Sequence, residues 1–136
     1  MTIREFVTEL CRAAGEETDD VFGRGRREGW LDAEDELFAD SDITRKNVAR
    51  ILHMYLLKVR KQSDIQGIEK AHVLRDLFDC RVCANHVAQM YLRGIMSPKD
   101  LMPAKEFLWF DLDGIDDADT NIEHIRKMLD QNLNPL

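Results

Sequence analysis

Apolar residues recur at helical spacing in four parts of the chain, and the polar residues between them mark the ends. Ile3, Phe6, Val7, Leu10 and Ala14 lie on one face of a helix that Thr2 caps and Gly15 stops. A shorter helix is expected over residues 17–28, weakened by Gly23 and Gly25, each of which costs about 1 kcal/mol relative to alanine. Thr44 opens the clearest helix, to about residue 61, with Val48, Ile51, Leu52, Tyr55, Leu56 and Val59 facing inward. Residues 71–92 read as helix with a break near Asp79, ended by Gly94. The last helix is expected over 117–132, with Ile122, Ile125, Met128 and Leu129 inward.

Between these helices lie two loops that carry large apolar side chains. Trp30, Leu31, Leu37 and Phe38 are expected to pin the acidic loop 29–42 to the core. Phe107, Leu108, Trp109 and Phe110 are expected to do the same for the loop 97–114. Residues 62–70, around Gly67, read as a linker.

An internal repeat follows when the helices are superposed in sequence. Counting from Thr2 and from Thr44, residues four, five and eight positions later are Phe6, Val7 and Leu10 in one helix and Val48, Ala49 and Leu52 in the other. Gly29-Trp30-Leu31 precedes the second long helix as Gly94-Ile95-Met96 precedes the third. The expectation is an all-α chain with one domain over 1–136: a long helix in 1–15, a repeat in 16–61 and a second repeat in 71–132.

This order resembles the S-layer homology family, whose repeats run from a short helix through a glycine-apolar-apolar turn and an aromatic loop to a Thr-Arg-Ala-Glu helix start. Three stretches carry the resemblance, residues 2–15, 29–45 and 74–96. It implies a pseudo-threefold bundle of three long helices with two shorter helices and aromatic-anchored loops, the first repeat being reduced to its long helix. It also implies a binding function, in which the Thr-Arg pair at a helix start grips an acidic cell-wall polysaccharide. Thr44 and Arg45 are the residues that match that pair, and Trp30 is a ligand-binding candidate in the preceding loop. Lys46 and Asn47 stand where the family has Ala-Glu, and the third helix start, near Asp117, has neither threonine nor arginine.

Charge narrows the partners. The net charge is −7, and acidic residues crowd the stretches 16–20, 32–42 and 111–119, so a phosphate backbone is repelled and no nucleic acid is expected. No apolar run approaches the ~20 residues that span a bilayer, and residues 1–6 alternate polar and apolar rather than forming an export signal. No membrane insertion and a cytoplasmic location are therefore expected, or the cell envelope if the resemblance holds in function. The partner is then a glycan or, if the same fold has lost its glycan site, a protein.

Candidate chemistry is sparse. Cys80, Cys83 and His86 follow one another in the order of zinc ligands, with His72 or Cys11 as a fourth. On one α-helix the outer pair would diverge by ~120°, so small core or semi-buried residues are expected instead of a metal site. Three cysteines are an odd number and two lie only three apart, which argues against a disulfide framework and for reduced thiols; a Cys/His metal or redox protein is the less favoured alternative. Asp111-x-Asp113-Gly114 suggests a calcium loop, but Ile122 occupies the twelfth position, where a bidentate glutamate belongs. His53, His72, His86 and His124 lack a carboxylate at catalytic spacing and are expected to be structural or surface groups. No cofactor is expected and the chain is not expected to be an enzyme.

Overall fold

The computed structural model describes residues 1–99 and 108–131. Among them the regular elements are helical: α1 (Ile3–Ala13), α2 (Val21–Glu28), α3 (Ala33–Leu37), α4 (Arg45–Lys58), α5 (Ala84–Leu92) and α6 (Ala118–Leu129). Three short 3-10 segments, Ile68–Val73, Leu77–Asp79 and Arg81–Cys83, lie between α4 and α5. No strand occurs among the described residues, and β-pairing is confined to three isolated bridges.

Short polar side chains set the helix starts. Thr2 Oγ1 accepts from the Glu5 backbone N–H while Glu5 Oε1 accepts from that of Thr2, a reciprocal capping box that occupies two otherwise unpaired donors. Asp32 and Asp35 make the same arrangement at α3. Thr44 and Asp117 cap α4 and α6 through Asn47 and Thr120.

The core joins α1, α4, α5 and α6. Phe6, Val7 and Leu10 meet Val48, Ile51, Leu52, Leu56, Val87, Met90, Ile125 and Met128, all buried. Each such large side chain contributes about 1.5–3 kcal/mol on leaving water, so this cluster is the main source of stability. α6 packs against both α1 and α4, and α4 against α5.

Backbone pairing links the helix starts in a repeated way. Thr2 bridges Asp42, and Thr44 bridges Ile115. Ile3 and Arg4 donate to the carbonyls of Ser41 and Ala39, while Arg45 and Lys46 donate to those of Gly114 and Leu112. The two glycine turns also match: Trp30 and Leu31 both donate to Gly25 O, and Ile95 and Met96 both donate to Met90 O. Gly29 and Gly94 supply the positive φ that each turn needs, +88° and +73°.

Four expectations are corrected. Only residues 84–92 of the expected helix 71–92 are α-helical. The backbone before them is committed elsewhere: Leu108 donates to Val73 O, Arg75 donates to Leu108 O, and the Asp76 carboxylate accepts from the N–H groups of Phe110, Asp111 and Leu112. These long-range bonds replace the local ladder.

Leu37 and Phe38 do not pin their loop; they are 75% and 54% exposed. The α3 capping box turns Asp35 inward, where it meets Arg50 at 2.5 Å, and two positions later a side chain points to the opposite side. Ala39 and Ile43 fill the core instead.

Ile122 faces outward on α6, while Asn121 and His124 share the buried face with Ile125 and Met128. Trp109, expected to match Trp30 as an anchor, is 46% exposed, and Phe110 takes the buried place. Phe107 lies outside the described residues.

Candidate functional site

The start of α4 carries the residues singled out for ligand binding. It is flanked by two clefts. One, of about 290 Å³, is lined by Thr44, Asn47 and Arg50 together with Asp32, Glu34, Asp35, Phe38 and Asp42. The other, of about 430 Å³, lies at the start of α6 and is lined by Arg45, Lys99, Asp116, Asp117, Thr120, His124 and Lys127 among others.

Thr44 and Arg45 adjoin different clefts, and neither presents a free group. Thr44 Oγ1 caps the helix. Arg45 is 3% exposed; its Nε donates to Phe110 O at 2.8 Å, its Nη1 to both oxygens of Asp116 at 2.9 and 3.1 Å, and its Nη2 to Ser97 O at 2.5 Å. The guanidinium also lies over the Phe110 ring, 4.6 Å from its centre. Such a buried, fully engaged arginine ties the loop 108–116 to α4 and has no fork left for a ligand carboxylate.

Lys99 Nζ also approaches Asp116, at 3.8 Å, and the His124 imidazole lies beside it with Nδ1 at 3.4 Å. Burial outweighs the attraction of Asp116 at His124 and pushes its pKa down to about 4.

Trp30 is 1% exposed, set edge-on to Tyr55 with 5.1 Å between ring centres, and its Nε1 donates to Glu28. It is a core anchor with no face for a sugar. Tyr55 in turn donates to Glu16, and its burial raises the phenol pKa.

The first cleft is therefore acidic at its rim. Arg50, its one lining cation, is held by Asp35 and lies 3.7 Å from Asp32. Exposed Phe38, the C-cap of α3, is part of the cleft's lining, whereas exposed Leu37 is not.

A second constellation lies around the start of α5. Cys80 and Cys83 are joined by a disulfide, their Cα atoms 5.2 Å apart, rather than being reduced. The expectation of reduced thiols rested on the odd cysteine count and the short spacing; here extended Cys80 leads into the 3-10 turn Arg81–Cys83, Cys83 N–H donates to Cys80 O, and that turn brings the two side chains together. His86 Nδ1 lies 2.7 Å from Nδ1 of His53, whose Nε2 lies 2.6 Å from Asp64 Oδ1. Burial and the neighbouring His53 and Arg50 charges push the His86 pKa down to about 4.

The other zinc candidates do not join them: His72 stacks on Phe78, and Cys11 is buried in the core on α1, where burial raises its thiol pKa. Among the described residues no group of three or more His, Cys, Asp or Glu side chains is placed to hold a metal ion.

Sequence spacing missed His53 with Asp64, Asp35 with Arg50, and Arg45 with Asp116, because their partners lie 11, 15 and 71 positions away. The available signal was a polar residue on the apolar face of a helix, as His53 is on α4. No helix among the described residues is long and apolar enough to cross a membrane. No family model, no curated protein and no solved structure matches the chain.

Proposed function

We propose that the chain is a binding module of S-layer-homology-like architecture whose ligand is a protein segment rather than an acidic glycan. The observation that carries this reading is the acidic cleft beside Thr44 with the exposed Phe38 in its lining. Carboxylates there repel an acidic polysaccharide and favour a segment that carries both basic and apolar side chains.

The architectural part is supported by the repeated pairing of helix starts and by the two matching glycine turns. A pseudo-threefold arrangement of α1, α4 and α6, with the first repeat reduced to α1, accounts for both patterns. Arg45 keeps the family's position at the helix start but serves the fold, which argues for a module that has lost glycan binding.

The test compares two immobilised ligands for retention of the full chain, an acidic cell-wall polysaccharide and a peptide alternating Lys or Arg with apolar residues. Retention by the peptide supports the reading. Retention by the polysaccharide alone overturns it.

A further inference from the structure

The Cys80–Cys83 bridge belongs to neither cleft. It spans three positions of sequence, so it restrains little of the unfolded chain and is a poor structural staple. Both cysteines are partly exposed, Val82 between them is 86% exposed, and Phe78 just before them is 58% exposed. Two exposed apolar side chains, with exposed Asp79 and Arg81 between them, thus flank a disulfide that solvent can reach.

α5 begins at this disulfide. Cys83 is its N-cap; Ala84 N–H donates to Arg81 O, and no side chain among the described residues caps the first-turn N–H groups that follow. His86 is one turn further on, so it shares a helix face with Cys83. Asp64 accepts from His53 Nε2–H and from Asn85 Nδ2, which leaves His53 Nδ1 to accept from His86 Nδ1–H. His86 Nε2 is then a proton acceptor, and it is neutral near pH 7 because its pKa is pushed down to about 4.

We propose that Cys80 and Cys83 form a thiol–disulfide exchange site that oxidises pairs of cysteine thiols in apolar polypeptide segments. A substrate thiolate attacks Cys80 Sγ, forming the mixed disulfide and breaking the Cys80–Cys83 bond. The electron pair of that bond leaves on Cys83 Sγ, whose negative charge is met by the first-turn N–H groups of α5; the better-stabilised thiolate is the better leaving group. The second substrate thiolate then attacks its partner sulfur and expels Cys80. The substrate gives up two electrons and two protons, and Cys80 and Cys83 take up both as thiols. Phe78 and Val82 supply the contact that selects apolar segments.

The experiment uses the full chain purified without chelator or reductant. It is equilibrated in buffers of mixed reduced and oxidised glutathione, quenched, alkylated and weighed. The wild type is expected to pass between disulfide and dithiol within that series, with Cys11 unmodified. Cys83→Ser is expected to accumulate a glutathione adduct on Cys80 at about ten times the level that Cys80→Ser accumulates on Cys83. Oxidised wild type is expected to oxidise a dicysteine peptide flanked by Phe and Val about tenfold faster than one flanked by Asp and Glu.

Three results would overturn the proposal, and all come from the wild type, independent of whether a variant folds. A pair that stays reduced in oxidising glutathione with one zinc bound is a metal site. A bridge in the folded protein that resists excess dithiothreitol is structural. Equal rates on the two peptides remove the apolar substrate class.

Discussion

Arg45 Nη1 donates to both carboxylate oxygens of Asp116, at 2.9 and 3.1 Å, with the two side chains 3% and 1% exposed. The pair joins the start of α4 to the residue just before the α6 cap. It converts the position at which a ligand-gripping arginine was expected into a cross-brace.

Removing one member therefore strands a buried charge. Arg45→Ala is expected to cost about 3–5 kcal/mol, whereas Arg45→Met combined with Asp116→Leu recovers most of it, because no unpaired charge remains. Urea unfolding of the three proteins measures this. A loss below about 1 kcal/mol in Arg45→Ala would show that the brace carries little.

Asn121 is fully buried on α6, and neither its amide nitrogen nor its amide oxygen has a partner among the described residues. Asn121→Leu, similar in shape, is expected to raise stability by about 1–3 kcal/mol by removing that desolvation cost. Thermal melting reads the change, and a lower melting temperature would show that the amide is needed.

Histidine protonation sets the acid limb of stability. His86 and His124 both have pKa values of about 4 in the folded chain against 6.5 ordinarily, so between these values the unfolded state binds more protons. Stability is therefore full above pH 6.5 and falls as pH drops toward 4. His86→Gln and His124→Gln are each expected to flatten the melting temperature against pH in that window. An unchanged slope in both would remove the histidines as its cause.

The helices with a strong apolar stripe and a polar cap, α1 and α4, were legible from spacing alone, since Thr2 and Thr44 cap them and Phe6, Leu10, Val48 and Leu52 face inward as expected. The stretch 71–83 was not, because its conformation depends on Asp76 binding the backbone of Phe110 to Leu112 and on Leu108 pairing with Val73 and Arg75, contacts made only in the folded chain. The α6 face was misread for a related reason. Asn121 and His124 occupy inward positions that an apolar pattern assigns to Ile122.

Thr44, Arg45 and Trp30 were legible as positions but not as roles. Their types and spacing fit a binding site, and only burial shows that their hydrogen-bonding groups are taken. Conversely, Leu37 and Phe38 read as anchors because apolar residues usually are; Leu37 lies on the side of α3 opposite Asp35, and Phe38 ends the helix as an exposed C-cap. The cysteine pair was visible, but its bond depended on a 3-10 rather than an α-helical turn.

Exposure of Phe38 makes it separable from the fold. Phe38→Ser is expected to change stability by no more than about 0.5 kcal/mol, as surface substitutions do. Circular dichroism and thermal melting check it; a drop of several kcal/mol would mean that the ring packs in solution.

The most direct measurement is calorimetric titration of a basic, apolar peptide into the wild type and into the Phe38→Ser variant. Binding by the wild type, weakened about tenfold or more in the variant at an unchanged melting temperature, is the predicted result. Equal affinity in the two proteins, or no binding to either, would contradict the assignment of this face as the ligand site.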